Sequence, residues 1–287
     1  MAFELADAHV TIVGLGLMGG SLAGALRGRC RQITGVVRKA ESARAALDQG
    51  LVDRCMIDLE EGLRQAHVVI LAMPVRAILQ QLPILGPLLP EGCLLMDLGS
   101  TKAQIVAEMA KLPPHVQPLG AHPMCGKETS GLQAADPALY RGRTFILCPL
   151  PRTSPESLAL GESLARAVGA HPLILEPERQ DFLVGTVSHL PYLLACSLVS
   201  TADATTSADP AAWEIVAGGF RDTSRVAGSD VTMMLDILLT NRAKVLKAVG
   251  AYQAQLQSLA DLLQAGDEEG LRARLAAIRQ TRIEMFP

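Results

Sequence analysis

The sequence is poor in aromatic side chains: one Trp, three Tyr and five Phe make up 3% of its 287 residues. An interior with so few rings must be filled by Leu, Ala, Val, Ile and Met, a mixture that suits helices packed on helices or on a sheet. Concentrated basic charge is also missing. Lys and Arg number 26 against 29 Asp and Glu, for a net charge of -3, and no cluster is dense enough to follow a phosphodiester backbone. No nucleic-acid partner is therefore expected. Residues 1–7 carry two acids and no basic stretch, and no unbroken apolar run of about 18 residues suggests a bilayer span. These absences predict a cytoplasmic protein without a membrane partner. Cysteine pairing is absent too: Cys30, Cys55, Cys93, Cys125, Cys148 and Cys196 form no CxxC or CxxxC pair. Reduced core residues are expected, with no disulfide and no metal, and only Cys125 falls in a segment with the character of a site.

What is present is length enough for two domains. Up to about residue 175, short β-branched or apolar runs alternate with helical stretches, the pattern of βαβ units. Strands are predicted at 9–13, 32–37, 68–73, 94–98, 117–121, 144–147 and 171–174. Helices are predicted at 18–27, 41–49, 78–85, 102–111 and 156–168, the last announced by Ser154 as N-cap and Pro155 in the first turn. After Pro177 the strand-like runs stop, and helical periodicity holds over 179–204, 231–263 and 267–284, with turns at 205–210 and 266–267. The reading is an α/β fold: a Rossmann-like dinucleotide-binding domain over 1–176, then an all-α domain over 177–287. A helical domain this apolar, with no sheet to cover, is expected to bury one face against a second copy, making a homodimer.

His9-Val-Thr-Ile-Val precedes Gly14-Leu-Gly16-Leu17-Met18-Gly19, which places G-x-G-x-x-G between a strand and an apolar helix. In that position the first glycine permits the tight turn. The second lets the main chain approach a pyrophosphate, and the third lets helix and strand pack closely. An enzyme that prefers NAD is expected to end its second strand in an acid that holds the ribose 2′-hydroxyl. This chain has Val37-Arg38-Lys39 there instead. Arg38 can fork onto a 2′-phosphate, so NADP is preferred over NAD. Met73-Pro74 ends the following strand and turns the chain beside the dinucleotide.

Four polar islands remain: DLGSTK (97–102), GAHPMCGKETSG (120–131), SHLPY (188–192) and GGFRDTSR (218–225). Together with GLGLMGGSL (14–22), in this order and at these spacings, they resemble the prephenate/arogenate dehydrogenases over nearly the whole chain. The resemblance implies oxidative decarboxylation of prephenate to 4-hydroxyphenylpyruvate, of arogenate to tyrosine, or of both. Hydride passes to the nicotinamide as the ring loses carbon dioxide and becomes aromatic. It implies that His122 is the catalytic histidine, expected here as the acceptor for the hydroxyl proton, with Ser100 hydrogen-bonded to the same hydroxyl. Arg225 matches the family's carboxylate clamp, with Arg221 the neighbouring alternative, and His189 matches its second histidine. Glu128 and Thr129, with Lys127, fall where the side chain of the substrate is read. Lys127 and Met234 depart from commoner family residues, which leaves prephenate and arogenate both open. With the first strand at His9 and the last helix ending near Met285, neither a fused mutase nor a tyrosine-sensing module is expected, and feedback by tyrosine would act at the active site.

Two other readings fit parts of the sequence. Asn241 and Lys244 mimic the helix-borne pair of β-hydroxyacid dehydrogenases, but that reading leaves Ser100 and His122 unexplained. A non-catalytic dinucleotide sensor would have no use for Ser100, His122, His189 and Arg225 together.

Overall fold

The structure is a computed structural model that describes residues 4–206, 208–209 and 211–285. Residues 1–3, and Ser207 and Pro210 of the expected turn, lie outside the described residues.

Eight strands form one sheet in the order β3-β2-β1-β4-β5-β6-β7-β8. They are β1 (His9–Val13), β2 (Gln32–Val36), β3 (Arg54–Met56), β4 (Val68–Leu71), β5 (Leu94–Asp97), β6 (Gln117–Pro123), β7 (Thr144–Pro149) and β8 (His171–Ile174). Every neighbouring pair is parallel except β6 with β7. The central strands read as continuous apolar runs because both faces are covered. Val10, Ile12, Ile70 and Met96 pack on one face with Leu22 and Leu26 of α1 (Leu17–Leu26) and Leu164 of α6 (Pro155–Ala167). Val13, Val69, Leu71 and Leu95 pack on the other face. Their partners are Ile78 and Leu82 of α4 (Val75–Leu85) and Ile105 and Met109 of α5 (Ala103–Met109). Two short elements escape the sequence pattern: β3 at the sheet edge, and α3 (Leu59–Leu63), which follows α2 (Ala40–Asp48).

From residue 177 onward the described residues form helices and turns. These are α7 (Pro177–Val184), a π-helical turn at Gly185–His189, α8 (Leu190–Thr206), α9 (Ala211–Glu214), α10 (Gly218–Ser224), a 3₁₀ turn at Arg225–Gly228 and α11 (Val231–Thr240). The type of secondary structure changes at Pro177, but the first compact unit runs on to Asn241, and α12 (Arg242–Ala265) and α13 (Glu268–Met285) belong to a second. The reason is the docking of α7 and α11 on the sheet. Asp181 of α7 accepts the backbone amides of Lys102 (2.6 Å) and Ala103 (2.9 Å) at the start of α5. Asp236 of α11 accepts the Arg76 amide (3.1 Å) at the start of α4 and pairs with the Arg76 side chain. Thr101 and Thr240 share a hydrogen bond of 2.9 Å.

Two predicted helices need correction. The stretch expected over 231–263 breaks at Asn241, whose side chain is taken up by hydrogen bonds rather than by the helix surface. The stretch expected over 179–204 contains the π turn. Pro177–Thr206 is also long enough to cross a bilayer and holds an 18-residue window with a mean hydropathy of 1.7, which a count of unbroken apolar residues misses. Its polar residues Gln180, Asp181 and His189 are buried and hydrogen-bonded, the state of a helix packed on protein.

Candidate active site

In a parallel sheet each helix that follows a strand begins at the carboxyl edge, with its first amides lacking intrahelical acceptors. Three such helices start side by side after β1, β4 and β5. Asp236 and Asp181 cap the second and third, α4 and α5. The first, α1, has Gly16 as N-cap and no side-chain cap. Among the described residues nothing accepts from Leu17, Met18 or Gly19, which leaves this start, of the three, open to an anion.

The glycines around this start are not interchangeable. Gly14 has φ 97°, and a Cβ there would stand 2.6 Å from the Ala72 carbonyl oxygen. A Cβ on Gly19 would stand 1.9 Å from the Gly14 oxygen, so helix and turn close only around glycine. A Cβ on Gly16 would meet nothing within 4 Å, which marks the open side on which a pyrophosphate can approach. Arg38 and Lys39 lie exposed just past β2, in the bend before α2. Met73 and Pro74 link β4 to α4, with Pro74 as its N-cap. The turn therefore fits a dinucleotide, and the basic pair stands where the second strand ends.

Two strands along, Asp97 closes β5 and is fully buried. Its carboxylate accepts the Gly99 amide (2.7 Å), the Ala121 amide (3.0 Å) and Lys102 Nζ. Lys102, also fully buried, donates a second bond to the Ala121 carbonyl at 2.7 Å. Burial pushes the Asp97 carboxyl above its ordinary range while Lys102 and the amides pull against it. This knot joins the turn that carries Ser100 to the strand that carries His122. His122 is buried, and its Nδ1 lies 3.3 Å from Gln180 Nε2, which is also 3.3 Å from the Ser100 carbonyl. Burial, then the charges of Lys102 and His189, lower the His122 pKa to about 3, so the ring is neutral at physiological pH.

His189 ends the π turn, buried, with Nδ1 3.2 Å from Asn241 Nδ2, and burial lowers its pKa to about 4. Asn241 also donates to the Asp181 carbonyl at 2.7 Å. Arg225 pairs with Glu128 across 97 residues, both exposed, which brings the GGFRDTSR and GAHPMCGKETSG segments together. Lys127 pairs with Asp136 at 2.9 Å. Thr129 is exposed on the same loop, as is Arg221 on α10, and neither side chain bonds a described residue. All six cysteines are free thiols, and burial raises the Cys125 pKa to about 11, which leaves it inert as a nucleophile. Gln180 and Asp181 have no place in the expectations from sequence, and Asn241 enters there only through the rival β-hydroxyacid reading. Their one signal is that Gln180 and Asp181 share a helix face with Val184, four and three residues on, as apolar core positions do.

Residues 22–174 match the family model for the prephenate dehydrogenase nucleotide-binding domain, and residues 176–277 match that for its dimerization domain. The prephenate dehydrogenase of Bacillus subtilis (strain 168) is 33% identical over 269 residues, covering 91% of this chain and 72% of that protein. Among solved structures, the A. aeolicus prephenate dehydrogenase in complex with hydroxyphenyl propionate and NAD+ superposes with a TM-score of 0.91. It is 32% identical, over 99% of this chain and 100% of that one. Synechocystis arogenate dehydrogenase gives 0.84 at 29% identity, over 96% and 99%. The chain belongs to the prephenate dehydrogenase family of nicotinamide-dependent oxidoreductases.

Proposed function

We propose that this enzyme oxidatively decarboxylates prephenate, arogenate or both, with NADP preferred over NAD. The observation that supports this reading most is the pairing, at one sheet edge, of an uncapped helix start with a neutral, buried His122 tied to the Ser100 turn. The bound nicotinamide supplies the hydride acceptor. His122 and Ser100 hold the hydroxyl on the donor carbon and so aim its C–H bond, an effect that needs fixed geometry more than charge.

Arg225, whose planar fork matches a carboxylate, clamps an acid group of the substrate in exchange for Glu128. Glu128, Thr129 and His189 face the side chain that carries the keto or amino group. Gly14, Gly16, Leu17, Met18 and Gly19 cradle the pyrophosphate, Met73 and Pro74 line its far side, and Arg38 takes the 2′-phosphate. The domain assignment proposed is dinucleotide binding over 1–176 and substrate binding with dimerisation over 177–287. The enzyme acts in the cytoplasm as a homodimer formed through its helices, without nucleic acid or membrane.

A two-by-two assay of prephenate and arogenate against NAD and NADP tests this, read as reduced cofactor formed. Turnover of at least one substrate, faster with NADP, is expected. Turnover of neither, with oxidation of 3-hydroxyisobutyrate or 6-phosphogluconate instead, would transfer the enzyme to the β-hydroxyacid class.

A further inference from the structure

We propose that Lys127, through its ion pair with Asp136, tethers the substrate loop to the dinucleotide helix α1, so that bound cofactor and bound substrate each tighten the other's hold. This rests on the function proposed above and adds a coupling between its two sites.

The loop runs from β6 to β7. Residues 126–131 are exposed, and among the described residues none of their six amides finds an acceptor. Backbone in this state opens locally at little cost, so side chains must hold it in place. Two ion pairs do so: Glu128 with Arg225, and Lys127 with Asp136 at 2.9 Å. Substrate is proposed to take Arg225 in exchange for Glu128, which leaves the Lys127 pair.

Asp136 is itself well anchored. One carboxylate oxygen accepts the Ala138 amide (2.9 Å), the other takes Lys127, and the Asp136 amide donates to Ser21 Oγ at 2.8 Å. Ser21 is fully buried in α1. Four residues on, Tyr140, also fully buried, donates its hydroxyl to the Met18 carbonyl at 2.7 Å. Burial raises the Tyr140 pKa well above its ordinary value, so the proton stays to be donated.

The helix is shaped for this segment. A Cβ on Gly20 would stand 2.8 Å from Leu132 Cδ1 and 3.0 Å from Ala135 Cβ, and one on Gly24 would stand 2.7 Å from Pro137 Cγ. Gly20 and Gly24 are four apart and so share a helix face. Neither belongs to the G-x-G-x-x-G turn, so cofactor binding alone does not call for them. Residues 132–140 lie where their side chains would be.

The two sites therefore meet on α1. Dinucleotide bound at residues 14–19 orders the start of α1, and with it the segment packed on its flank. The loop then has less freedom left to lose when substrate binds, which couples the sites favourably without a change of shape. The coupling is reciprocal, so substrate tightens cofactor by the same factor.

Hydrogen exchange of the full-length enzyme, read peptide by peptide, tests this with NADP+ alone. Saturating NADP+ is expected to slow the amides of 126–131 at least about threefold in wild type. In Lys127→Ala the slowing should stop short of that stretch, with NADPH affinity by fluorescence titration held within about twofold and the urea midpoint unchanged. NADP+ that binds without slowing 126–131, or that slows them as much in Lys127→Ala, overturns the tether. This readout needs neither substrate nor turnover, so it stands apart from failure of the proposed reaction. Titrations of the two products, 4-hydroxyphenylpyruvate and tyrosine, with and without NADP+ supply a second measurement. At least one should bind about fourfold tighter with NADP+ present, the scale of an exposed ion pair. That gain should vanish in Lys127→Ala and in Asp136→Asn and persist in Lys127→Arg. Its loss in Lys127→Ala alone would mean that Lys127 touches the substrate instead, and the tether would fall.

Discussion

At the scale of single residues, His122 carries the most consequence because it is buried without a countercharge of its own. Asn at this position reproduces the Nδ1 corner of the ring and keeps the contact with Gln180, but withdraws the Nε2 edge from the cleft. His122→Asn is therefore expected to cut kcat at least roughly tenfold while cofactor affinity, measured by fluorescence titration, stays near wild type. Arg225 acts on substrate that is bound in ground and transition state alike, so Arg225→Ala should raise KM about tenfold and spare kcat. Equal, small effects of both changes on both constants would undo these roles. The depressed His122 pKa also has a cost for stability. An unfolded chain takes up a proton near pH 6.5, whereas the folded ring resists until about pH 3. The unfolded state thus binds more protons between these values, and the stability present above pH 6.5 drains away as pH falls. At pH 5 the loss from this one ring is on the order of 2 kcal/mol. Urea titrations at pH 8 and pH 5 should show His122→Asn losing that much less than wild type. The raised Asp97 and Asp181 carboxyls act in the opposite sense but are common to both proteins, so they drop out of the difference. An equal loss in the two proteins would refute the shift.

At the scale of elements, the division of labour among helix starts decides both docking and cofactor binding. Asp181 satisfies two amides of α5 from a buried position, and Asp181→Ala leaves both without an acceptor. The expected cost is about 2 kcal/mol, read as a lower urea midpoint with unchanged slope. A change within about 0.5 kcal/mol would mean that water replaces the cap. At the end of β2, Arg38→Asp places a carboxylate where the 2′-phosphate is proposed to sit. It should shift the ratio of kcat/KM for NADP over NAD at least tenfold toward NAD, and an unchanged ratio would remove Arg38 from the site. Much of this architecture was legible. Apolar runs bounded by glycine and proline announce the parallel strands, and the glycine spacing announces α1. β3 was not legible, since Arg54-Cys55-Met56 is a three-residue edge strand whose apolar side chains are only partly buried. Nor was the break at Asn241, because a buried amide amid Leu and Thr looks like one more helical residue until its partners are known. Gln180 and Asp181 stayed hidden for the same reason: paired polar residues near a helix start ordinarily face solvent.

At the scale of the whole molecule, the question is what covers the exposed apolar side chains of the helices. Val231, Leu235 and Leu239 recur every four residues along α11 and stay exposed, as do Leu256 and Leu263, seven apart on α12. Isolated exposed leucines mean little, but rows at helical spacing mark a surface made to be covered. The match of residues 176–277 to a dimerization domain gives the occupant proposed here, a second copy of the chain. A stable dimer buries about 1,200–2,000 Å² in total, which rows on several helices can supply and one row cannot. Sedimentation equilibrium should therefore give about twice the 30.4 kDa chain mass. Leu256→Glu combined with Leu263→Glu should shift it to the monomer, because two carboxylates would be buried without partners in the interface. If the double variant remains a dimer, α12 lies outside the interface, and the same charge placed at Leu235 and Leu239 then tests α11. A wild-type protein that sediments at the single-chain mass at micromolar concentration would sink the dimer altogether.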